Sequence, residues 1–314
     1  MYKKILVFIL LFSLSLATLP QVAFAGYFDV TKDKVGLNVH WSLGGFDRDN
    51  LYRDRLAESH TRWVREHFYT EVFLDNPEAW FARYDYVLNQ YQKKNTKVVA
   101  MLAYGKDHDD FRAPQEATWK YFLQLVVNRY KDKVDVWEVW NEPDSPDYLT
   151  PNNPKAFERI MTVGYDTIKA IDPSAIVLNG GLSWPNYYFA EQMLQNYGNK
   201  FDALAFHVYY CGNWPQLEIE LNRFDDMVKK YKSGQRYWVT EMGCSTGGTD
   251  ISEERQKDYL YELTENLIAS GKIEKILLYN IRNYDFRGEY EDNFGLLDLN
   301  MNPRPAWNWY ANIP

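Results

Sequence analysis

The sequence is poor in cysteine, in histidine and in blocks of like charge, and each shortage excludes a class of protein. It has 2 cysteines and 5 histidines, and the histidines lack ligand spacing, so we expect no catalytic metal. Its net charge is −8 and no basic run is present, which argues against nucleic acid or an anionic membrane as a partner. No dinucleotide, P-loop, zinc-protease or serine-hydrolase motif occurs, and we expect no cofactor.

Long apolar runs are also missing, except at the N-terminus. Residues 1–25 combine the basic start MYKK, an apolar run and the small-x-small sequence AFA, which is the pattern of a secretory signal peptide cleaved before Gly26. The alternative is a membrane anchor, but the run is short for a span and no cysteine follows it to carry a lipid. We therefore expect a secreted or periplasmic protein whose mature part, 26–314, is one soluble domain and a monomer.

The sequence alternates short β-branched or apolar runs with longer amphipathic segments. Eight runs are present, at 34–41, 62–68, 97–104, 134–141, 175–180, 202–210, 236–243 and 275–281. Four of the segments between them have helical spacing and begin at the potential caps Asn76, Thr118, Asn153 and Ser252. Strands that alternate with helices form parallel βαβ units, and eight units in a chain of this length predict a single α/β domain, a (β/α)8 or TIM barrel. A doubly wound open sheet is the alternative.

Two of the predicted strands end in glutamate. The fourth run ends with Asn141 and Glu142 before Pro143, which has no N–H to continue a sheet, and Glu241 has the corresponding place in the seventh. A (β/α)8 barrel carries its functional residues at the C-terminal strand ends, so both carboxylates could reach one central pocket. Such a pair is the minimum for glycoside hydrolysis, one carboxylate as acid and the other as nucleophile or base. The alternative is two solvated loop glutamates.

The motif WNEP at 140–143, followed by EMG at 241–243, resembles clan A of the glycoside hydrolases. These are retaining enzymes on (β/α)8 barrels, and the resemblance covers nearly the whole mature chain, with family 39 or family 5 nearest. It implies that Glu142 is the general acid/base and Glu241 the nucleophile. It also implies that Asn141 hydrogen-bonds the sugar 2-hydroxyl.

Further residues match the clan pattern at other strand ends. Arg65 fits the arginine that lies under the nucleophile, where its charge would lower the pKa of Glu241, and the Arg65-x-His67 arrangement resembles family 39. His207 and Tyr209 end the sixth run, and Tyr209 could donate a hydrogen bond to Glu241. The predicted substrate-binding residues are Asn141, Arg65, His207, Tyr209, His40, Trp41, His67, Trp184, Trp214 and Tyr279.

Structural alternatives stay open for several of these residues. Arg65 could pair with an inward-pointing Glu138, which needs a partner if it is buried. The two histidines near the rim could be satisfied polar groups, and the three tryptophans could be packing residues. Tyr279 stands where many clan members have the tryptophan that floors the −1 sugar site, so the identity of that platform is open.

The two cysteines follow neighbouring predicted strands. Cys211 lies just after the sixth run, and Cys244 follows Glu241 by three residues. Strands six and seven are adjacent in a barrel, and an oxidising compartment permits disulfides. We therefore expect a Cys211–Cys244 bond that restrains the nucleophile loop, with two buried free thiols as the alternative.

Together these features predict a secreted retaining β-glycosidase with 26–314 as its catalytic domain. We expect endo action on a β-linked polysaccharide, such as a plant cell-wall glucan or a bacterial exopolysaccharide, because the chain is rich in aromatic residues (17%) that could stack on sugars. An exo-acting β-xylosidase or β-glucosidase is the second reading. A non-catalytic glycan-binding barrel is the rival from another class.

Overall fold

Eight parallel strands and nine α-helices make up the described part of the chain. The computed structural model describes residues 30–44, 46–104 and 112–314, so the predicted signal peptide at 1–25 lies outside the described residues. The strands are β1 (Val35–Asn38), β2 (Trp63–Tyr69), β3 (Lys97–Ala103), β4 (Val136–Asn141), β5 (Ile176–Gly181), β6 (Leu204–Val208), β7 (Tyr237–Met242) and β8 (Ile273–Leu278). Each of the eight predicted runs therefore contains most or all of one strand.

Helices connect the strands and surround them. They are α1 (Asp49–Glu58), α2 (Thr70–Asp75), α3 (Pro77–Lys93), α4 (Glu116–Tyr130), α5 (Pro154–Ile171), α6 (Tyr187–Tyr197), α7 (Trp214–Lys229), α8 (Glu253–Ala269) and α9 (Pro305–Ala311). Among the described residues, no helix is both long and apolar enough to cross a membrane.

Three of the four predicted helix caps are confirmed. Asn76, Asn153 and Ser252 each accept a hydrogen bond from the backbone N–H three residues later, which satisfies one of the free donors of the first turn. The prediction for Thr118 is wrong because α4 begins earlier, at Glu116. The negative charge of Glu116 is favourable in the first turn of a helix.

The sheet closes into a barrel, so the open-sheet alternative is excluded. The strand order is β5-β4-β3-β2-β1-β8-β7-β6, which leaves β5 and β6 as the ends that must meet. They meet through isolated bridges, Leu178 with Ala203 and Leu182 with Phe206. The side chain of Asn179 completes this seam, because its Oδ1 accepts from Ala205 N at 2.6 Å and its Nδ2 donates to Ala205 O at 3.1 Å. Asn179 is therefore a structural residue of the closure.

The barrel interior changes character along the strands. At the N-terminal end it is a small apolar cluster that includes Trp63, Val136, Trp238 and Leu277. A larger cluster packs the outer faces of the strands against the helices. Because side chains alternate along a strand, Trp63 and Arg65 share the inward face of β2. The charged residues therefore lie at the C-terminal end of the barrel interior, above this small apolar cluster.

Candidate active site

A buried ionic network centred on Arg65 occupies the C-terminal end of the barrel. The Arg65 guanidinium donates from Nε to Glu138 at 2.5 Å, from Nη1 to Glu241 at 2.6 Å and to Asn38 at 2.9 Å, and from Nη2 to Asn141 at 2.8 Å. Burying a charge is costly unless it is paired and hydrogen-bonded, and these four oxygens provide that pairing. The two interpretations of Arg65, as the partner of Glu138 and as the cation under Glu241, are compatible because it contacts both carboxylates.

Glu138 has further partners, which hold it in a fixed position. Its Oε1 accepts from the Thr240 hydroxyl at 2.9 Å and from Gly181 N at 3.0 Å. Asn38 donates to Thr240 O at 2.9 Å. Asn38 and Thr240 were not predicted as site residues, although a polar residue inside an otherwise apolar strand run is the signal that could have found them.

Glu142 and Glu241 lie close together above this network. His207 Nδ1 lies 2.6 Å from Glu142 Oε1, within hydrogen-bond distance, and 3.6 Å from Glu241 Oε2. The Tyr209 hydroxyl donates to the same Glu241 oxygen at 2.5 Å. One oxygen of each glutamate and a ring nitrogen of His207 lie within 4.8 Å of one another. Retaining glycosidases place their two carboxyl groups about 5–5.5 Å apart, and inverting enzymes about 6.5–9.5 Å apart, so the arrangement suits the retaining reaction.

The surroundings of the two glutamates shift their pKa values in opposite directions. Burial raises the pKa of Glu142, and the hydrogen bond and charge of His207 oppose this rise only in part. Burial also acts to raise the pKa of Glu241, but the positive charges of His207 and Arg65 and the Tyr209 hydrogen bond bring it below its ordinary value. An acid/base needs the first environment and a nucleophile the second.

The backbone around Glu142 has a conformation that is unusual for residues other than glycine. Trp140 has φ of 78° and Glu142 has φ of 44°, the left-handed region that L-residues rarely adopt and that is found at functional sites. Glu142 N donates to Gly181 O at 2.8 Å, which fixes this end of β4 against β5. A Cβ atom on Gly181 would lie 2.4 Å from His207 Nε2, so His207 requires glycine there.

Arg65 and His207 do not bind substrate directly. Both side chains are fully buried, and their polar contacts are with the glutamates and their neighbours. Burial acts to lower the pKa of His207, but the carboxylates of Glu241 and Glu142 raise it above its ordinary value. The prediction that these two residues bind substrate is therefore corrected, because they position and charge the carboxylates instead.

His40 and His67 lie together at the ends of β1 and β2. Their Nε2 atoms are 3.2 Å apart, His67 Nδ1 contacts the Tyr69 hydroxyl at 2.8 Å, and His40 Nδ1 contacts the hydroxyl of Tyr284. Burial lowers the pKa of His40 to about 3, so its ring is neutral at physiological pH. The pair borders the pocket beside Tyr279, and direct contact with a sugar stays a prediction.

Trp41 is a packing residue, and its predicted contact with substrate is wrong. The side chain is 1% exposed, stacks on Tyr52 and donates to Asp49 Oδ1 at 2.7 Å. The Trp41 side chain lies on the helix side of the strands, where Glu66 also accepts from Trp41 N at 3.2 Å. Two carboxylates on the outside of the barrel therefore hold the chain that follows β1.

The other predicted aromatic contacts lie on rim loops or strand ends and stay predictions. Trp184 follows β5 and is 40% exposed. Trp214 begins α7 and is partly packed against the main core. Tyr279 follows β8, close to Tyr209, with ring centroids 6.3 Å apart, so it lies where a platform for the −1 sugar would be needed.

A disulfide joins Cys211 to Cys244, with Cα atoms 5.7 Å apart. It connects the loop after β6 to the loop after β7. The first of these strands ends near His207 and Tyr209, and the second ends near Glu241. The bond therefore restrains the two loops that border Glu241 and its hydrogen-bond donor Tyr209.

Within the described ranges, Glu142, His207 and Glu241 are the residues whose ligand atoms could reach one metal ion. The same atoms are already engaged, however, because Glu241 accepts from Arg65 and Tyr209. The buried guanidinium charge beside Glu241 would also repel a cation. This donor set is better suited to proton transfer and nucleophilic attack.

Comparisons with known proteins agree with this geometry. The family model described as glycosyl hydrolase catalytic core matches residues 69–310. A family 39 glycoside hydrolase from Bacteroides cellulosilyticus WH2 has a similar structure, with a TM-score of 0.68 and 19% identity over 90% of this chain and 64% of that chain. This chain therefore spans less than two thirds of that enzyme's length.

Two further solved structures share the fold. A GH39 β-xylosidase from Caulobacter crescentus gives a TM-score of 0.71 and 18% identity, over 91% of this chain and 72% of that chain. A GH5-4 broad specificity endoglucanase from Clostridium acetobutylicum gives 0.69 and 16%, over 90% and 97%. No curated protein matches the sequence. At these identities the similarity establishes the fold, while the family model establishes the family.

Proposed function

Because the chain belongs to the glycosyl hydrolase catalytic core family and is an O-glycosyl hydrolase, we propose that it is a secreted retaining β-glycosidase that cleaves a β-linked polysaccharide internally. The observation that carries the mechanism is the carboxylate pair. Glu142 and Glu241 have oxygens within 4.8 Å of each other, and their pKa values are shifted up and down respectively.

In the first step Glu142, as a carboxylic acid, donates its proton to the glycosidic oxygen while Glu241 attacks the anomeric carbon. The bond between that carbon and the leaving oxygen breaks, and a covalent glycosyl ester forms on Glu241. Arg65 and Tyr209 keep Glu241 ionised before the attack. Asn141, whose Oδ1 is held by Arg65, is fixed beside Glu142.

In the second step Glu142, now a carboxylate, takes a proton from water. The oxygen of that water attacks the anomeric carbon and releases Glu241, so the product keeps the configuration of the substrate. His207 contacts Glu142 throughout, and its raised pKa lets it act as a cationic donor to the carboxylate when Glu142 is ionised.

Exposed aromatic residues that follow two different strands support internal cleavage. Trp184 and Tyr188 follow β5 and are 40% and 68% exposed, and Phe286 and Tyr290 follow β8 and are 68% and 49% exposed. Aromatic faces in two separate segments of the rim could bind more sugars than an exo enzyme needs. The endoglucanase similar in structure is consistent with this choice.

Product analysis tests the proposal. The protein is incubated with β-glucans, xylans, mannans and bacterial exopolysaccharides, and viscosity, product length and anomeric configuration are followed. Endo action gives an early fall in viscosity with oligosaccharides of the retained anomer. Release of monosaccharide from chain ends would favour the exo β-xylosidase or β-glucosidase reading, which the similar GH39 β-xylosidase supports. Binding without turnover would favour a non-catalytic glycan-binding barrel.

Export can be tested separately. The N-terminal pattern of residues 1–25 and the Cys211–Cys244 disulfide both fit an oxidising compartment. Expression of the full sequence in a secreting host should yield a protein that begins at Gly26. An N-terminus at Met1 in the medium, or retention in the cell, would count against export.

A further inference from the structure

A second arginine, Arg287, lies at the mouth of the pocket. Its Nη1 donates to the Tyr279 hydroxyl at 2.8 Å, and its guanidinium lies 5.7 Å from the ring centre of Tyr284. These two tyrosines contact or border His40. Unlike Arg65, Arg287 is exposed, so its remaining N–H groups can reach a ligand.

The charge of Arg287 acts across the pocket. It adds to the lowering of the His40 pKa that burial causes, and it opposes the rise that burial causes in the pKa of Tyr69. His40 follows β1, Tyr69 ends β2 and Tyr279 follows β8. Side chains from three strand ends therefore face this guanidinium, which places it over the opening between them.

The loop that carries Arg287 is fixed by its own contacts. Both oxygens of the buried Asp292 accept from Arg287 N, at 2.9 and 3.1 Å, and one accepts from Gly288 N at 3.0 Å. Asp292 N donates in turn to Gly288 O at 2.9 Å. The backbone of Arg287 is thus held in place, which lowers the entropic cost of using its side chain for recognition.

Arg287 has no ion-pair partner among the described residues. Its hydrogen bond is to a neutral phenol, and its charge acts on the nearby Glu291, whose pKa it helps to lower, without forming an ion pair with it. The Arg65 guanidinium, in contrast, already donates hydrogen bonds to Glu138, Glu241, Asn38 and Asn141. Among the described residues around the pocket, Arg287 is therefore a cation that remains available for an incoming anion.

We propose that Arg287 binds a carboxylate of the substrate, so that the pocket takes a β-glycan that carries uronic acid at or next to the −1 sugar. A guanidinium matches a carboxylate with two parallel hydrogen bonds. The Tyr279 hydroxyl and the ring of Tyr284 hold the guanidinium beside the proposed −1 platform. This inference rests on the proposed function, because it names the substrate class of the same site.

The experiment compares one glucuronic-acid-rich β-glycan with the same polymer after its carboxyl groups have been reduced to hydroxymethyl groups. We expect the wild type to have the higher kcat/KM on the acidic polymer. Arg287→Gln should lower the acidic-to-reduced ratio by about 10- to 100-fold, as expected for loss of a hydrogen-bonded ion pair. Arg287→Lys should lower it less, since it keeps the charge but loses the fork.

Arg53→Gln is the matched control, because Arg53 is an exposed arginine of α1 whose described ion pair is with Asp54. It removes the same charge from the protein and should leave the ratio unchanged. Equal rates of the wild type on both polymers, or a ratio that Arg287→Gln does not change, would overturn the inference while the glycosidase proposal stands.

Binding tests the inference independently of turnover. In Glu142→Gln protein, calorimetric titration should show tighter binding of acidic oligosaccharides than of their reduced forms. The difference should disappear in Glu142→Gln/Arg287→Gln protein. Failure of the wild type to cleave any glycan would count against the proposed function only, whereas equal affinity for the two ligands would count against the role of Arg287.

Discussion

The two ends of the barrel interior differ sharply, although the same strands build both. On β2 the inward side chain is Trp63 at the N-terminal end and Arg65 two residues later, and on β7 Trp238 precedes Glu241. The apolar end stabilises the fold by burial. The charged end is expensive to bury and adds little net stability. One half of the interior therefore supports the fold, and the other half is retained for chemistry.

Glu241→Gln is expected to have the largest effect on this comparison. The substitution removes the proposed nucleophilic carboxylate and keeps the size of the side chain. We therefore expect kcat to fall by about 10⁴-fold or more while the cooperative unfolding transition persists. Glu262→Gln on the exposed face of α8 is the control. Activity above about 1% of wild type on a natural glycan would contradict the assignment of Glu241.

Glu142→Gln should lower kcat by about 10²–10⁴-fold on natural substrates and much less on an aryl glycoside whose leaving group needs no proton. Because the pKa of Glu142 is raised, wild-type activity should fall as pH rises through that pKa, when the acid loses its proton. The variant should lose this alkaline limb. A variant with an unchanged alkaline limb would mean that another group titrates there.

Trp238→Ala should test the apolar end. It removes a 1% exposed side chain from the inner cluster, so the free energy of unfolding should fall by about 3–5 kcal/mol. Trp184→Ala is the matched control, because that indole is 40% exposed; it should change stability little while weakening binding of polymers. Urea unfolding measures both. Similar losses of unfolding free energy in the two variants would contradict the difference proposed between the apolar N-terminal end of the interior and the exposed rim.

Tyr209→Phe should have the smallest effect. It deletes the hydrogen bond that helps to lower the Glu241 pKa, so that pKa should rise towards its ordinary value. The acidic limb of the pH–rate profile, where activity appears as Glu241 loses its proton, should then move to higher pH. Near the optimum, kcat should fall by only about 10-fold. An unchanged acidic limb would show that Arg65 and His207 suffice.

Much of the site could be predicted because strand ends are readable from sequence. A proline after β4 marked where Glu142 leaves the sheet, and the alternation of strands and helices placed Glu241 at the matching end of β7. The misassignment of Trp41 concerns side-chain direction. Trp41 follows β1 as His40 does, but it points towards the helices, and one residue of offset reverses the face.

The sequence by itself determined the class of the fold, the disulfide pairing expected between neighbouring loops and the identity of the glutamate pair, since these follow from local periodicity and spacing. Only the tertiary structure decided which charged groups contact one another. Arg65 of β2 meets Glu138 and Asn141 of β4 and Glu241 of β7 because these strands share one barrel interior. The pKa values of Glu142 and Glu241 separate because burial and those contacts differ. Arg287 lies far from this network in sequence, and only barrel closure brings its loop over the pocket.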